Sequence, residues 1–188
     1  MKSLHWFLAL LLLLVGSGEV RAQNSKPAPV HTVSQALDFW ITNTEDLVVS
    51  AADAMPEEKY GFAPTAGEFT GVRTFAQQIK HLAANNYRMA AYILNQTPTP
   101  EQESEVGPDT VQSKAQILDY LKGSFTALHR AVAAINEGNM LEPMAASPSP
   151  AQKTRLQLAV DAVAHSNDHY GQMVEYLRMN GIVPPASR

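Results

Sequence analysis

Cysteine is absent from all 188 residues, which excludes disulfides, thiolate metal sites, iron–sulfur clusters, a cysteine nucleophile and a lipid-modified cysteine after an export leader. Any metal must be held by His, Asp or Glu. Charge is sparse as well, with 14 basic residues against 18 acidic ones and a formal net charge of −4. The basic residues are scattered, so no positive stripe is on offer to the phosphates of nucleic acid or anionic lipid, and neither is expected as a partner. The chain also lacks a Gly-rich phosphate loop, a Gly-x-Ser-x-Gly elbow, a fixed-period repeat and any stretch of sustained apolar–polar alternation,.

Long apolar runs are missing except at the start. Lys2 followed by the run Trp6 to Val15, with Val20 and Ala22 at the positions a signal peptidase reads, predicts a signal peptide over residues 1–22,. A retained anchor is the alternative, but the run is short for a membrane span, so no stable membrane insertion is expected once the leader is removed. The predicted location is the periplasm or exterior of a bacterium. Cleavage leaves 166 residues, the size of one domain, and a formal charge of −5, because Lys2 and Arg21 leave with Glu19,. Residues 23–31, with Pro27 and Pro29, read as a linker that includes His31, and residues 32–188 as the domain,.

Helical spacing runs through that domain four times. The first helix is predicted from an N-cap at Thr32 or Ser34 to about Ala54, with Leu37, Ile41, Thr44, Val48 and Ala51 inward and Pro56 beyond its end,. The second runs from Arg73 or Thr74 to Leu94, with Phe75, Ile79, Leu82, Asn86, Met89 and Ile93 as one stripe and Gln78, His81, Asn85 and Arg88 as a polar stripe beside it. The third opens on the capping pattern Ser113 to Gln116, carries Ile117, Leu121, Phe125, Leu128 and Val132, and should stop at Gly138,. The fourth runs from about Ala151 to Asn180, closed by Gly181 and Pro184-Pro185,. The loops between, Pro56 to Gly71, Asn95 to Thr110 and the proline-rich Leu141 to Pro150, are too rich in breakers for long helices,. The expected class is all-α, a four-helix bundle.

The last helix carries the chemistry. His165 and His169 are one turn apart, so their imidazoles stack on one face, where Leu158, Ala162, Met173 and Tyr176 form an apolar stripe that points inward,. Two stacked histidines can share a metal ion, and a catalytic zinc site commonly takes three side-chain ligands with a fourth position open. The candidates for the third ligand are His81, His129 and the acids. His81, flanked one turn away by Gln78 and Asn85, is favoured; His129, beside Phe125 and Arg130, reads as a boundary residue that packs,. The zincin pattern fails because Ser166, Asn167 and Asp168 separate the pair with no Glu after the first His, and paired Glu-x-x-His motifs of di-iron bundles are absent,. Asp168, about 100° around the helix from His169, reads as a surface acid, and Arg178 as a cation at the negative helix end,. Tyr87, Tyr170 and Tyr176 read as core-edge aromatics,.

Three stretches carry a family resemblance: FAQQIKHLAANNY with its single histidine, HSNDHYGQMVEYLRMNGIVPP with its pair, and YGFAPTAGEFTGVRTFAQQIKHL leading into the second helix. Together they resemble the DinB-like superfamily, which takes in YfiT-like thiol transferases and mycothiol-dependent maleylpyruvate isomerases, and the tail HYGQMVEYLRMNGIVPP is especially similar to exported members with no assigned activity. The resemblance covers most of the mature chain. It implies a four-helix bundle with two long connections and one divalent metal ion, often Zn2+ or Ni2+, held by His81, His165 and His169. It further implies a Lewis-acid enzyme acting in hydrolysis, isomerisation or thiol-dependent transfer on a small organic molecule. A non-catalytic envelope protein that binds a metal or small ligand is the alternative. Location weakens the thiol-transfer variant, since small-thiol pools are mainly cytoplasmic. A leftover apolar helix face would permit a homodimer.

Overall fold

The computed structural model describes residues 32–65, 70–144 and 153–188. The predicted signal peptide, the predicted linker and residues 145–150 of the proline-rich connection lie outside the described residues. Four helices make up the rest: α1 (Val33–Ala54), α2 (Phe75–Ile93), α3 (Lys114–Ala133) and α4 (Arg155–Met179). Among the described residues there is no strand, only an isolated bridge between Pro143 and Thr154, and no helix is long and apolar enough to cross a membrane.

All four helices start in the same way. Thr32, Thr74, Ser113 and Thr154 each accept the amide of the residue three positions on, and Gln35, Gln77, Gln116 and Gln157 bond back to the cap amide. Each box satisfies two amides that the first helical turn leaves without intrahelical partners. The box also corrects the expected start of the fourth helix. It begins at Arg155 rather than Ala151, because Thr154 is the capping residue and Lys153 is still bonded through its carbonyl to the Met144 amide. The third helix ends at Ala133 rather than at Gly138. Asn139 Oδ1 accepts the Asn136 amide and Asn136 Oδ1 accepts the Gly138 amide, so two asparagine side chains build a turn that competes with further helix,. Ile135 still points into the core after the helix has ended.

Each helix buries one stripe. Ile41 and Val48 of α1, Phe75, Ile79, Leu82 and Ile93 of α2, Ile117, Leu121, Phe125 and Leu128 of α3, and Leu158 and Met173 of α4 are essentially inaccessible. A large apolar side chain buried in this way contributes about 1.5–3 kcal/mol. α1 and α2 each pack against both α3 and α4, so helices consecutive at either end of the chain are diagonal partners.

Directions follow from the cross-helix bonds. Lys80 Nζ reaches the Val111 carbonyl just before α3, and Asn86 reaches Ser124, so α2 and α3 run parallel. Gln78 bonds Gln172 while Asn85 bonds His165, so α4 is antiparallel to α2. His129 near the end of α3 meets Asp38 near the start of α1, so that pair is antiparallel too. Parallel neighbours need a long crossover, which residues 94–113 supply. That crossover is pinned to α2 by Gly107, which has φ +70° and where a Cβ would lie 2.8 Å from Lys80 Cβ, so only glycine fits,. The pin places Glu105, two residues earlier, beside the polar face of α2.

Candidate metal centre

The polar stripe of α2 is a buried seam against α4. Gln78, His81, Asn85 and Asn86 are all buried, as are Ser166 and His169 on the facing helix. Buried polar groups require partners, and most of these have one another. Asn86 bonds both Ser124 and Ser166, Gln78 Nε2 donates to Gln172 Oε1 at 2.7 Å, and Arg88 donates to Asn85 Oδ1 at 2.7 Å.

At the centre of the seam three histidines turn the same nitrogen toward one another. His165 Nε2 lies 3.3 Å from His81 Nε2 and 3.1 Å from His169 Nε2, and the ligand atoms of the three form a group able to hold a metal ion. The proton positions can be followed from the edge inward. His81 Nδ1 donates to the Glu105 carbonyl oxygen at 3.0 Å, which leaves its Nε2 with a lone pair,. The Asn85 oxygen is taken by Arg88, so Asn85 offers its amide nitrogen to His165 Nδ1 at 3.1 Å, and the His165 proton belongs on Nε2. From there it is shared with the neighbouring Nε2 atoms, and His169 carries its own proton on Nδ1, a buried atom with no partner. Two of the three rings therefore already present lone pairs to the centre.

All three rings are held neutral. Burial lowers the basicity of His165 and His169 to pKa values of about 4, with the neighbouring histidines adding to the effect. His81 is lowered by burial and then by the charge of Arg73, against the opposing pull of Glu105. Neutral imidazoles with converging nitrogens are the donor set that borderline divalent ions such as zinc and nickel prefer. The residues present fit a metal.

The structure thus brings together His81, His165 and His169, the three residues singled out in the sequence. His129 stands apart on the other side of the bundle. There it does more than pack on Phe125, because Nδ1 bonds Asp38 at 2.6 Å and Nε2 bonds Glu45 at 2.9 Å, tying α3 to α1. Burial opposes protonation of that ring, but the two carboxylates outweigh it and its pKa is raised. Asp168 is an exposed acid that accepts from Gln172, and Tyr176 places its hydroxyl on the Arg73 carbonyl at the core edge. Arg73 and Glu105 beside His81 carry no signal in the sequence, since one precedes a helix and the other lies in a breaker-rich loop. Arg88 was visible only as the end of the polar stripe.

The DinB superfamily model matches residues 41–173, a span that holds all three histidines. The chain belongs to the DinB superfamily. A crystal structure of a conserved protein from Enterococcus faecalis is similar in fold, with a TM-score of 0.62 and 16% identity over 80% of this chain and 98% of that one. At that identity the likeness speaks for the fold alone. No curated protein matches the sequence.

Proposed function

We propose that this DinB-superfamily protein is an exported metal-dependent enzyme, in which His81, His165 and His169 hold one divalent ion, zinc or nickel. The observation that carries the proposal is the convergence of three Nε2 atoms, with those of His81 and His169 lying 3.3 and 3.1 Å from that of His165. Bound there, such an ion would supply Lewis-acid polarisation of a carbonyl or an activated water or thiol, the chemistry of hydrolysis, isomerisation or thiol-dependent transfer.

The chain's own part is orientation and access. Glu105 fixes the His81 tautomer through its backbone, and Asn85 and Arg88 hold the His165 ring from behind. His165 is half-buried whereas His81 and His169 are buried, so access to the centre is past His165. An apolar cleft lined by Pro64, Val72, Tyr176 and Met179 opens further along the same face of α4, beyond Gln172, and suits the apolar part of a small organic substrate,.

Non-catalytic metal binding is the second reading, favoured by the burial of two of the three rings. Elemental analysis of the mature protein, followed by hydrolysis of p-nitrophenyl acetate before and after chelation, separates the two. Metal-dependent turnover that is lost in His165→Ala supports the enzyme. One bound ion without metal-dependent turnover supports the binder, and absence of any ion rejects both. Intact mass of protein from the native envelope tests export, with Gln23 the expected first residue and retained Met1 the contrary result.

A further inference from the structure

Glu105 is an exposed side chain at the focus of a cationic arrangement. Its carboxylate lies 2.8 Å from Arg73 Nη2, 3.3 Å from His81 Nδ1 and 4.0 Å from Arg88 Nη1. Glu105 is 65% exposed, whereas the side chains of Arg73 and Arg88 are 32% and 19% exposed. The two guanidinium groups are thus less exposed than the carboxylate between them, as Lys114 and Arg155 are in their pairs with Asp53 and Glu142. The arginines are also held from behind. Arg73 donates through Nε to the Glu105 backbone carbonyl at 3.3 Å, and Arg88 is braced on Asn85 Oδ1. They approach from either end of α2, with the histidine centre between them.

We propose that Arg73 and Arg88 form a carboxylate clamp beside the three-histidine centre, occupied by Glu105 in the resting protein and by the carboxylate of a small organic acid when substrate binds. This rests on the enzyme reading above and names its substrate class. Among the described residues, Glu105 is the one carboxylate paired with either arginine. An exposed ion pair contributes little net stability, so the side chain is easily displaced, while a free carboxylate settling between two pre-positioned guanidinium groups gains charge-assisted hydrogen bonds. Displacement needs only rotation of the Glu105 side chain. Its backbone carbonyl can stay on His81 Nδ1 and keep that ring in place. The carboxylate position is separated from the Nε2 cluster by the width of the His81 ring, so the acid group of the substrate is a few bonds removed from the group presented to the centre.

Benzoate binding to the mature protein, measured calorimetrically with zinc and again with chelator, tests the clamp, with neutral benzamide as control. Glu105→Gln removes the tethered competitor and should tighten benzoate by several-fold to about tenfold, whereas Arg73→Gln should weaken it by about tenfold or more. Arg73→Lys keeps the charge without the fork and should fall between. Arg73 is the more exposed arginine, and an unchanged helical spectrum with unchanged zinc stoichiometry will show that its variants remain folded. Benzoate affinity indifferent to both Glu105→Gln and Arg73→Gln, or benzamide bound as tightly, overturns the clamp. If zinc fails to bind while benzoate still follows this pattern, the clamp stands and the metal reading falls; zinc bound with benzoate indifferent is the reverse.

Discussion

Asn85 decides which nitrogen of His165 carries its proton. With its oxygen on Arg88 it can only donate to His165, which suits the metal-free cluster, because His165 Nε2–H then supplies the one proton that three facing nitrogens need. Ligation through Nε2 requires the opposite tautomer and an acceptor behind the ring. Asn85→Asp would supply one, since a carboxylate can accept from Arg88 and from His165 Nδ1–H together. Zinc affinity should rise by about tenfold in that variant, on the scale of such supporting contacts; titration against a chelating dye reads it, and an unchanged affinity would show that the amide already turns over at no cost. His129 makes the contrast at the same scale. The sequence reads its ring as a boundary residue because Phe125 and Arg130 flank it, but its pairing with Asp38 and Glu45 was not legible, because contacts between helices distant in sequence depend on the bundle's arrangement.

Helices were the most legible level, for local reasons. Apolar spacing of three and four gave α1 and α2 nearly to the residue, since the residues that form the stripe also fill the core. The ends were less clear where side chains compete with the backbone. Asn136 and Asn139 stop α3 before the glycine does, and the Thr154 box starts α4 later than the preceding prolines imply. The same Ser/Thr-x-x-Gln pattern recurs at all four starts, so it was readable at Thr154 as well as at Ser113. Thr154→Ala should destabilise the protein by about 1 kcal/mol, the usual worth of an N-cap. In a domain of this size that is a fall of roughly 2–4 °C in Tm. A scanning-calorimetry Tm unchanged within error would show that α4 is held by packing alone.

At the scale of the whole molecule, the diagonal placement of consecutive helices was not legible, because loops of this length allow several arrangements of four similar stripes. The centre nevertheless was, in part, because spacing put two histidines on one inward face and only a partner from another helix had to be found. Burial of that centre gives the metal-free protein a signature in acid. His165 and His169 have folded pKa values of about 4 against 6.5 for an unperturbed histidine, so below 6.5 the unfolded chain binds more protons than the folded one,. Their contribution is fully present above pH 6.5 and is lost as the pH falls through about 4. His129 works the other way, contributing fully below 6.5 and losing effect as the pH rises through its raised folded value. Urea midpoints measured from pH 7 to 4 on chelator-treated protein should therefore fall, and should fall less in His165→Ala with one such proton site removed. A midpoint as steep in His165→Ala as in wild type would place the acid sensitivity elsewhere.

Zinc titration of the metal-free protein is the most direct test of the three-histidine centre. Wild type should bind one ion at neutral pH and release it in acid, since protons compete for the same lone pairs. His169→Ala should lose affinity by orders of magnitude, while His129→Ala, altered on the far side of the bundle, should bind as wild type does. Equal affinity in wild type and His169→Ala would contradict the centre, and with it the function built on it.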